Sequence, residues 1–396
     1  MRNIDLISGN NSLFYYNDQL IWFQKNKLFS LSLVDYQQSE IALGNEEDTL
    51  VSVNISMDGT ATACSSNKVI YIIKICNFSF QLIGRFIHSK RLNISIFKPD
   101  TNEVIIGDKF GDLYLLNASS IHSAIKNGRN LPSFDNHSDS EELLNNDMAD
   151  CIIPKMGHLS TVTCSIVSHD SKLLFTGNKC GKIWVSNIKH LENTLSILCG
   201  HGGAISSLCE VKIAEESSKL IISSSLDKRI KLWDYLYGTE IDSINLESIP
   251  LEVKFSSSLK KVFIKCEDLS GITVVQLDSC EKNTFRFRKE LTTINLNSVP
   301  YSIEITELTA QTSFKLFEDS IDIKDVGCVL WYKNYDNLPC PIIINTKNSH
   351  SSHDNESGYL SYAIIPDALK HPTKPKKNIF TKSAQNNDLK RAKISN

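Results

Sequence analysis

A glycine-rich loop near the middle of the chain could bind a phosphate group. Residues 200–204 read GHGGA, and the backbone N–H groups of such a loop cradle phosphates when a strand precedes it and a helix follows. Here the next residues, AISSLCEV at 204–211, alternate like a β-strand. The sequence therefore argues against a nucleotide site.

The same region contains the residue types of a hydrolytic triad. His201, Asp227 and a serine such as Ser225 could act as base, orienting acid and nucleophile. The alternative is a buried hydrogen-bonded set that ties strands together, because buried polar groups need partners. Trp233, in the tripeptide LWD, would complete such a set, and we favour this structural interpretation.

Other chemical signals are weaker. His350 and His353, in HSSH, have a spacing that metal ligands can have, but no cluster of Cys or carboxylate residues completes the site. The sequence has no G-x-S-x-G, H-E-x-x-H or Walker pattern. We expect a chain that is not an enzyme, with no catalytic, metal or cofactor site of its own.

Cysteine appears in one unusual context. The eleven cysteines form no CxxC pair, and many lie in apolar runs, which predicts buried free thiols in a reducing compartment. Cys180, however, lies in TGNKCGKIWVSN, residues 176–187, between Lys179 and Lys182 and close to Trp184. This stretch is predicted to form a hairpin. Three interpretations are open: a reactive site, an altered structural repeat, or a surface for a partner.

The elements around these residues are short strands. The 396 residues are 41% hydrophobic, and the apolar runs are brief, alternate with period two and are separated by Asp, Asn, Gly and Ser. The net charge of −3 gives no overall basic field for nucleic acid. The first residues lack the apolar core of a signal peptide, and no apolar segment approaches the roughly 20 residues that span a bilayer. We expect a soluble protein of the nucleus, and also of the cytoplasm.

Two long hairpin units repeat in tandem. Gly157-His158 opens one unit, and Gly200-His201 opens the next 43 residues later, within the roughly 40 to 45 residues of a WD40 repeat. Weaker copies cover 49–75, 91–117 and 250–277, and 12–34 and 301–365 can supply further strands. We predict an all-β WD40 β-propeller over residues 1–369, with seven blades favoured over six, because ring closure protects the sheet edges. His201, Ser225, Asp227, Trp233 and His158 would form its structural hydrogen-bonded sets.

Three segments do not read as strands. Residues 122–150 form an acidic insertion, 347–358 a polar loop, and 370–396 a disordered basic tail with eight Lys or Arg residues against Asp388. The tail is interpreted as a solvated terminus, a nuclear import signal or a direct RNA contact.

The block from Arg91 to Ser248 resembles one WD40 family, the non-catalytic subunit of tRNA (guanine-N7)-methyltransferase. GDKFGDLYLL at 107–116, the unit opened by Gly157 and SSSLDKRIKLWDY at 223–235 carry the resemblance. It implies a seven-bladed propeller that binds no cofactor and forms a heterodimer with a Rossmann-type catalytic subunit. That subunit would bind S-adenosylmethionine and methylate N7 of a guanine in the tRNA variable loop, and tRNA would be met mainly through it.

The resemblance also implies the partner surface. It would include Asp108, Lys109, Lys179, Lys182 and Trp184. Trp184 stands where the family has a basic residue that makes an interfacial ion pair, so it is interpreted either as an anchor in a more apolar interface or as a side chain packed on a neighbouring strand. Cys180 takes the place of the turn aspartate, Asp227. The alternative function is a generic WD40 scaffold in another nuclear or ribosome-assembly complex.

Overall fold

The computed structural model describes most of the chain. The described residues are 13–34, 37–56, 59–76, 78–98, 103–117, 152–213, 216–280, 284–296, 298–307, 326–333, 339–345, 360–364 and 380–384. All regular elements within these ranges are β-strands. Over the same ranges no helix has the length and apolarity to cross a membrane.

The strands form seven antiparallel sheets, numbered here as blades 1 to 7. Blade 1 contains β1 (Leu13–Tyr16), β2 (Gln19–Gln24), β3 (Lys27–Ser32) and β4 (Gln38–Ala42). Blade 2 contains β5 (Leu50–Ile55), β6 (Thr60–Ser65), β7 (Val69–Cys76) and β8 (Ser79–Ile87). Blade 3 contains β9 (Leu92–Phe97), β10 (Glu103–Asp108), β11 (Asp112–Asn117) and β12 (Ile152–Gly157).

The next two blades contain the two strong repeats. Blade 4 contains β13 (Val162–Val167), β14 (Leu173–Asn178), β15 (Lys182–Asn187) and β16 (Thr194–Cys199). Blade 5 contains β17 (Ile205–Ile213), β18 (Glu216–Ser225), β19 (Arg229–Asp234) and β20 (Thr239–Asn245).

Two blades complete the ring. Blade 6 contains β21 (Pro250–Ser256), β22 (Lys261–Cys266), β23 (Gly271–Cys280) and β24 (Thr284–Asn295). Blade 7 has five strands, β25 (Ser302–Glu307), β26 (Val326–Lys333), β27 (Cys340–Asn345), β28 (Leu360–Ile364) and β29 (Phe380–Ala384).

Each blade is built from consecutive strands, and the blades close into a ring. The first strands of neighbouring blades pack side by side from blade 2 to blade 7, and β25 of blade 7 packs against β1 of blade 1. The ring therefore closes by packing between two complete sheets, with no strand exchanged between the ends of the chain. The prediction of a seven-bladed β-propeller is confirmed.

The hydrophobic core lies between the blades. Strand β7 shows why: Tyr71 and Ile73 pack into the cluster shared with blade 1, whereas Ile70 and Ile72 pack into the cluster shared with blade 3. Successive side chains point to opposite faces of a strand, so a strand buried on both faces needs a nearly continuous apolar run. Each blade thus depends on both neighbours for burial.

The three segments predicted to lie outside strands have different outcomes. The acidic insertion at 122–150 and the polar loop at 347–358 lie outside the described residues. The basic tail at 370–396 was predicted to be disordered throughout, and this is wrong for Phe380–Ala384, which pairs with β28 as β29. The segment FTKSA alternates weakly and gains its strand hydrogen bonds only from the edge of blade 7.

Candidate partner-binding site

Blade 5 holds a chain of hydrogen bonds between four side chains. The Trp233 indole N–H donates to Ser223 Oγ at 2.8 Å, and Ser223 Oγ lies 2.8 Å from His201 Nε2. His201 Nδ1 lies 2.8 Å from Asp227 Oδ2. Because a carboxylate can only accept, the proton of the neutral imidazole lies on Nδ1, and Nε2 accepts the Ser223 hydroxyl proton. Every polar atom in the chain is therefore paired.

The serine of this set is Ser223, and the prediction of Ser225 is wrong. Ser225 Oγ donates to the Gly203 carbonyl at 3.0 Å and accepts the Asp227 N–H at 3.2 Å. Both serines lie on the same face of β18, because side chains repeat every two residues along a strand. Trp233 pairs with Ile221 across the hairpin. From there its indole N–H reaches Ser223, two residues along β18, and not Ser225 at the end of the strand.

The same set has the connectivity of a hydrolytic triad, but the serine is closed to substrate. Ser223 has no exposed surface, and its oxygen already accepts the Trp233 N–H. Burial lowers the pKa of His201 despite the opposing effect of Asp227. The geometry is that of a buried structural set.

Blade 4 repeats this layout with different residues. Its sheet register places Thr176 where blade 5 has Ser223, Cys180 where it has Asp227, Trp184 where it has Lys231, and Ser186 where it has Trp233. The equivalences for Cys180, Trp184 and Ser186 are those expected from the sequence. Blade 4 therefore lacks both the carboxylate and the indole that complete the chain in blade 5.

His158 occupies the histidine position of blade 4. Its Nε2 lies 3.0 Å from Thr176 Oγ1, and its ring lies 4.5 Å from the Trp184 ring, centroid to centroid, at an interplanar angle of 54°. Its Nδ1 and the Trp184 Nε1 are both buried and have no hydrogen-bond partner among the described residues. Burial lowers the pKa of His158 to about 4.

This buried histidine predicts acid sensitivity. The folded pKa of about 4 lies below the usual histidine pKa of about 6.5, so the unfolded chain binds the proton first and stability falls as the pH drops through this window. Between pH 7.5 and pH 5 the contribution of His158 falls by about 2 kcal/mol. Urea unfolding of the wild type and of His158→Gln, whose side-chain amide can still hydrogen-bond to Thr176, measures it. Parallel pH profiles for the two proteins would contradict the prediction.

The tip of the blade 4 hairpin is exposed and held by Asn178. Its Oδ1 accepts the N–H groups of Cys180 and Lys182, each at 3.0 Å. Gly181 has φ +76°, and a Cβ there would lie 2.6 Å from the His201 carbonyl oxygen, so glycine is required. This turn leaves Lys179, Cys180 and Lys182 exposed to solvent.

In blade 3 the predicted interface residue Asp108 is fully buried. Its Oδ1 accepts the N–H groups of Phe110, Gly111 and Asp112, and Lys90 Nζ lies 2.9 Å from its Oδ2. Burial alone would raise the pKa of Asp108, but the bonds from Lys90 and the backbone hold it below its usual value. A direct partner contact would break these bonds, so we restrict the interface prediction to Lys109, Lys179, Lys182 and Trp184.

The exposed turns of blades 3 and 4 form one continuous surface. Thr161 Oγ1 donates to the Lys109 carbonyl at 2.7 Å, and the Thr161 carbonyl accepts the Lys179 N–H at 2.9 Å. Two apolar side chains that the sequence did not single out lie at these turns, Phe110 at 58% exposed and Leu159 at 96%. We call the surface the blade 3–4 face; it comprises Lys109, Phe110, Leu159, Lys179, Lys182 and the half-buried Trp184.

The glycine-rich loop, the HSSH histidines and the cysteines are the remaining residues that the sequence singled out. The GHGGA loop is followed by β17, as expected, and the Gly203 carbonyl is bound by Ser225. His350 and His353 lie outside the described residues. Nine cysteines in the described ranges are free, but only four are buried; Cys76, Cys180 and Cys199 are exposed and correct the prediction that the thiols are buried. These three lie at strand ends and turn tips, where apolar runs stop.

The ring of seven antiparallel sheets and the His–Ser–Asp–Trp chain of blade 5 define a WD40 β-propeller. The family model described as "WD domain, G-beta repeat" matches residues 192–234. The chain is similar to the non-catalytic subunits of tRNA (guanine-N(7)-)-methyltransferase from several organisms. It is 27% identical to the subunit of Xenopus laevis over 195 residues, and 28% identical to that of Vanderwaltozyma polyspora over 241 residues.

The extent of these matches is partial. The Xenopus match covers 49% of this chain and 41% of the relative, and the Vanderwaltozyma match covers 58% and 48%. The chain thus spans about half the length of these curated relatives. A chain in the crystal structure of the mitotic checkpoint complex superimposes with a TM-score of 0.54 at 12% identity, covering 73% of this chain and 84% of that one. This likeness supports the fold alone.

Proposed function

We propose that this protein is the non-catalytic subunit of a tRNA (guanine-N7)-methyltransferase. The observation that carries the proposal is its similarity to proteins of that name from organisms as distant as Xenopus laevis, Danio rerio and Dictyostelium discoideum. The catalytic partner is a Rossmann-type subunit that binds S-adenosylmethionine. The propeller holds this subunit in its active form and takes no part in the chemistry, and tRNA meets it mainly through the partner.

The blade 3–4 face is the proposed docking surface. It combines exposed apolar side chains, Phe110 and Leu159, with the exposed lysines Lys109, Lys179 and Lys182. Interfaces typically have an apolar centre and a polar rim. The half-buried Trp184 adds an aromatic side chain of the kind that dominates binding energy. The lysines fit an acidic partner surface.

We propose that the protein is located in the nucleus, with the cytoplasm as a second location. The support is the lysine-rich sequence HPTKPKK at 371–377, which has the composition of an import signal. Deleting residues 385–396 or replacing the lysines of 371–377, followed by imaging of the tagged protein, tests this assignment. An unchanged distribution of the protein between nucleus and cytoplasm would contradict this assignment.

Complex formation tests the proposed function. The chain should co-purify with the catalytic subunit from the same organism as a complex of one copy each, as judged by size-exclusion chromatography with light scattering. No complex from co-expressed chains, together with capture of the propeller on another nuclear or ribosome-assembly complex, would contradict the proposal.

Trp184 is expected to contribute to this complex. Trp184→Ala should weaken binding of the catalytic subunit by about 2 kcal/mol, or about 30-fold in Kd, because a large aromatic contact is lost. Isothermal titration calorimetry measures it. Tyr237→Ala is the matched control, since Tyr237 is 82% exposed on the turn between β19 and β20, at the other end of the strands. Unchanged affinity with a lower thermal midpoint would assign Trp184 to packing on His158 alone.

A further inference from the structure

The outer edge of blade 4 lacks the features that usually keep a sheet edge from pairing. Its last strand, β16, reads TLSILC and has no charged residue and no proline. It pairs with β15 on one side, and within the described residues no strand pairs with it on the other. An exposed edge presents unpaired backbone N–H and C=O groups, and native proteins protect it with charged residues, proline or a covering segment, among other devices. Strand β16 is therefore an open edge.

The outer strands of the other blades differ from β16. In blade 7 the fourth strand, β28, reads LSYAI and is also without charge or proline. There a fifth strand, β29, pairs along the edge and carries Lys382. An uncharged outer strand of this propeller thus accepts an added strand. The other five outer strands have charged residues of their own: Glu40 in β4, Arg85 in β8, Lys155 beside Pro154 in β12, Glu240 and Asp242 in β20, and Arg286, Arg288, Lys289 and Glu290 in β24.

The side chains of β16 add an apolar surface to this open backbone. Leu195 is 53% exposed and Ile197 is 42% exposed. After a bulge at its start, the strand pairs with β15 in regular register from Ser196 to Cys199. This part of β16 has the extended geometry that a further strand can follow. The edge thus combines free backbone groups with exposed aliphatic side chains.

The neighbouring turn of blade 5 extends the apolar surface. Ser196 Oγ donates to the Tyr235 carbonyl and so holds the turn between β19 and β20 beside β16. Leu236, on this turn, is 40% exposed. Three aliphatic side chains along one strand are far fewer than those of the interface of about 1,000 Å² that two globular partners need. The size of the surface therefore fits a single extended segment rather than a second copy of the chain.

The charge of this edge separates it from the blade 3–4 face. Lys179 and Lys182 on that face fit an acidic partner surface, whereas β16 has no charged residue. In strand addition, main-chain hydrogen bonds supply affinity, and contacts of alternate side chains supply specificity. A segment that matches β16 therefore has no charge and carries apolar side chains at alternate positions.

We propose that the outer edge of β16 binds an extended, uncharged segment of a protein partner other than the catalytic subunit. The segment adds a fifth strand to blade 4, as β29 does to blade 7, and its apolar side chains pack on Leu195, Ile197 and Leu236. This site goes beyond the proposed function and does not depend on it. The propeller then binds two protein partners, one at the blade 3–4 face and one at the rim of blade 4.

Selection of phage-displayed random peptides of about twelve residues on the full chain tests this site. The enriched peptides should be uncharged, with apolar residues at alternate positions. Ile197→Lys, which gives β16 the charge that other outer strands have, should weaken their binding by about tenfold or more. Ile153→Lys is the matched control and should leave the affinity within about twofold, because Ile153 is 45% exposed on β12, an edge that already has Pro154 and Lys155. Fluorescence anisotropy measures affinity, and thermal midpoints show that both variants fold.

Backbone N-methylation of the enriched peptide separates strand addition from simple apolar contact. Methyl groups on the alternate residues whose N–H groups face β16 should abolish binding, whereas methyl groups on the intervening residues should be tolerated. No enriched peptide, equal binding to the wild type and Ile197→Lys, or equal effects of the two methylation patterns would each overturn the inference. So would a dimer of the free chain that Ile197→Lys disrupts, because a second copy would then occupy the edge.

Addition of the catalytic subunit distinguishes this site from the docking surface. The peptide should bind the free chain and the heterodimer with affinities within about threefold of each other, because independent sites have little coupling free energy. Displacement of the peptide by the catalytic subunit would overturn the inference. If the catalytic subunit does not bind the chain, the proposed function fails, whereas peptide binding to the free chain still decides the inference.

Discussion

Replacing Trp233 with alanine should lower the free energy of unfolding by about 3–5 kcal/mol. The side chain is 1% exposed and packs in the cluster between blades 4 and 5, with Phe175, Ile205 and Tyr235. Its indole N–H is also the donor that orders the chain through Ser223 to His201. The loss therefore combines a large cavity with a broken buried network. Urea unfolding followed by circular dichroism measures it.

Trp184→Ala is the matched control for this prediction. Trp184 lies one blade away, is only half-buried and has no hydrogen bond on its indole nitrogen within the described residues. Its removal should cost about 1–2 kcal/mol of folding stability, with its larger effect on partner binding. Equal losses for the two tryptophans would contradict the assignment of Trp233 to the core and of Trp184 to the docking surface.

Glu252→Ala is expected to destabilise the fold by a similar amount, about 3–5 kcal/mol. Glu252 is 4% exposed on β21 of blade 6, and its carboxylate accepts from the Ser302 hydroxyl and from the Ile303 N–H at 3.1 Å. Both donors belong to the start of blade 7, so one side chain joins the two sheets. Burial raises the pKa of Glu252, while Lys254 and Lys265 oppose the shift.

Two control variants show whether the stability lost in Glu252→Ala comes from the hydrogen bonds to blade 7. Glu252→Gln keeps the shape and one acceptor and should cost about 1–2 kcal/mol. Glu247→Ala removes an exposed acid from the preceding loop and should stay within about 0.5 kcal/mol of the wild type. The free energy of unfolding from urea titrations of all three variants orders them. A cost for Glu252→Ala below that of Glu252→Gln would exclude the link between blades 6 and 7.

The strands of blades 4 and 5 could be predicted from the sequence, because their hairpins contain local sequence signals. The GH pairs, the period of 43 residues and the LWD motif locate these strands and predict the equivalence of Cys180 with Asp227. The weaker copies at 49–75 and 250–277 became strands of blades 2 and 6. Strand β29 was not predicted, because its segment pairs through its backbone and has almost no alternation of apolar residues.

The details of the site depend on three-dimensional register and could not be derived from spacing alone. Ser223 and Ser225 share one face, and only the pairing across the hairpin selects Ser223. Asp108 looks like a surface acid in sequence, yet three backbone N–H groups and Lys90 enclose it. Phe110 and Leu159 join the surface because Thr161 ties the turns of two blades together.

Methyl transfer to tRNA by the reconstituted pair tests the central claim most directly. The catalytic subunit from the same organism is assayed with labelled S-adenosylmethionine and unmodified tRNA, alone and with this chain, and the labelled product is mapped to N7 of a guanine in the variable loop. We expect little transfer by either chain alone and at least a tenfold increase when the two are combined. Equal transfer with and without the propeller, or transfer by the propeller alone, would contradict it.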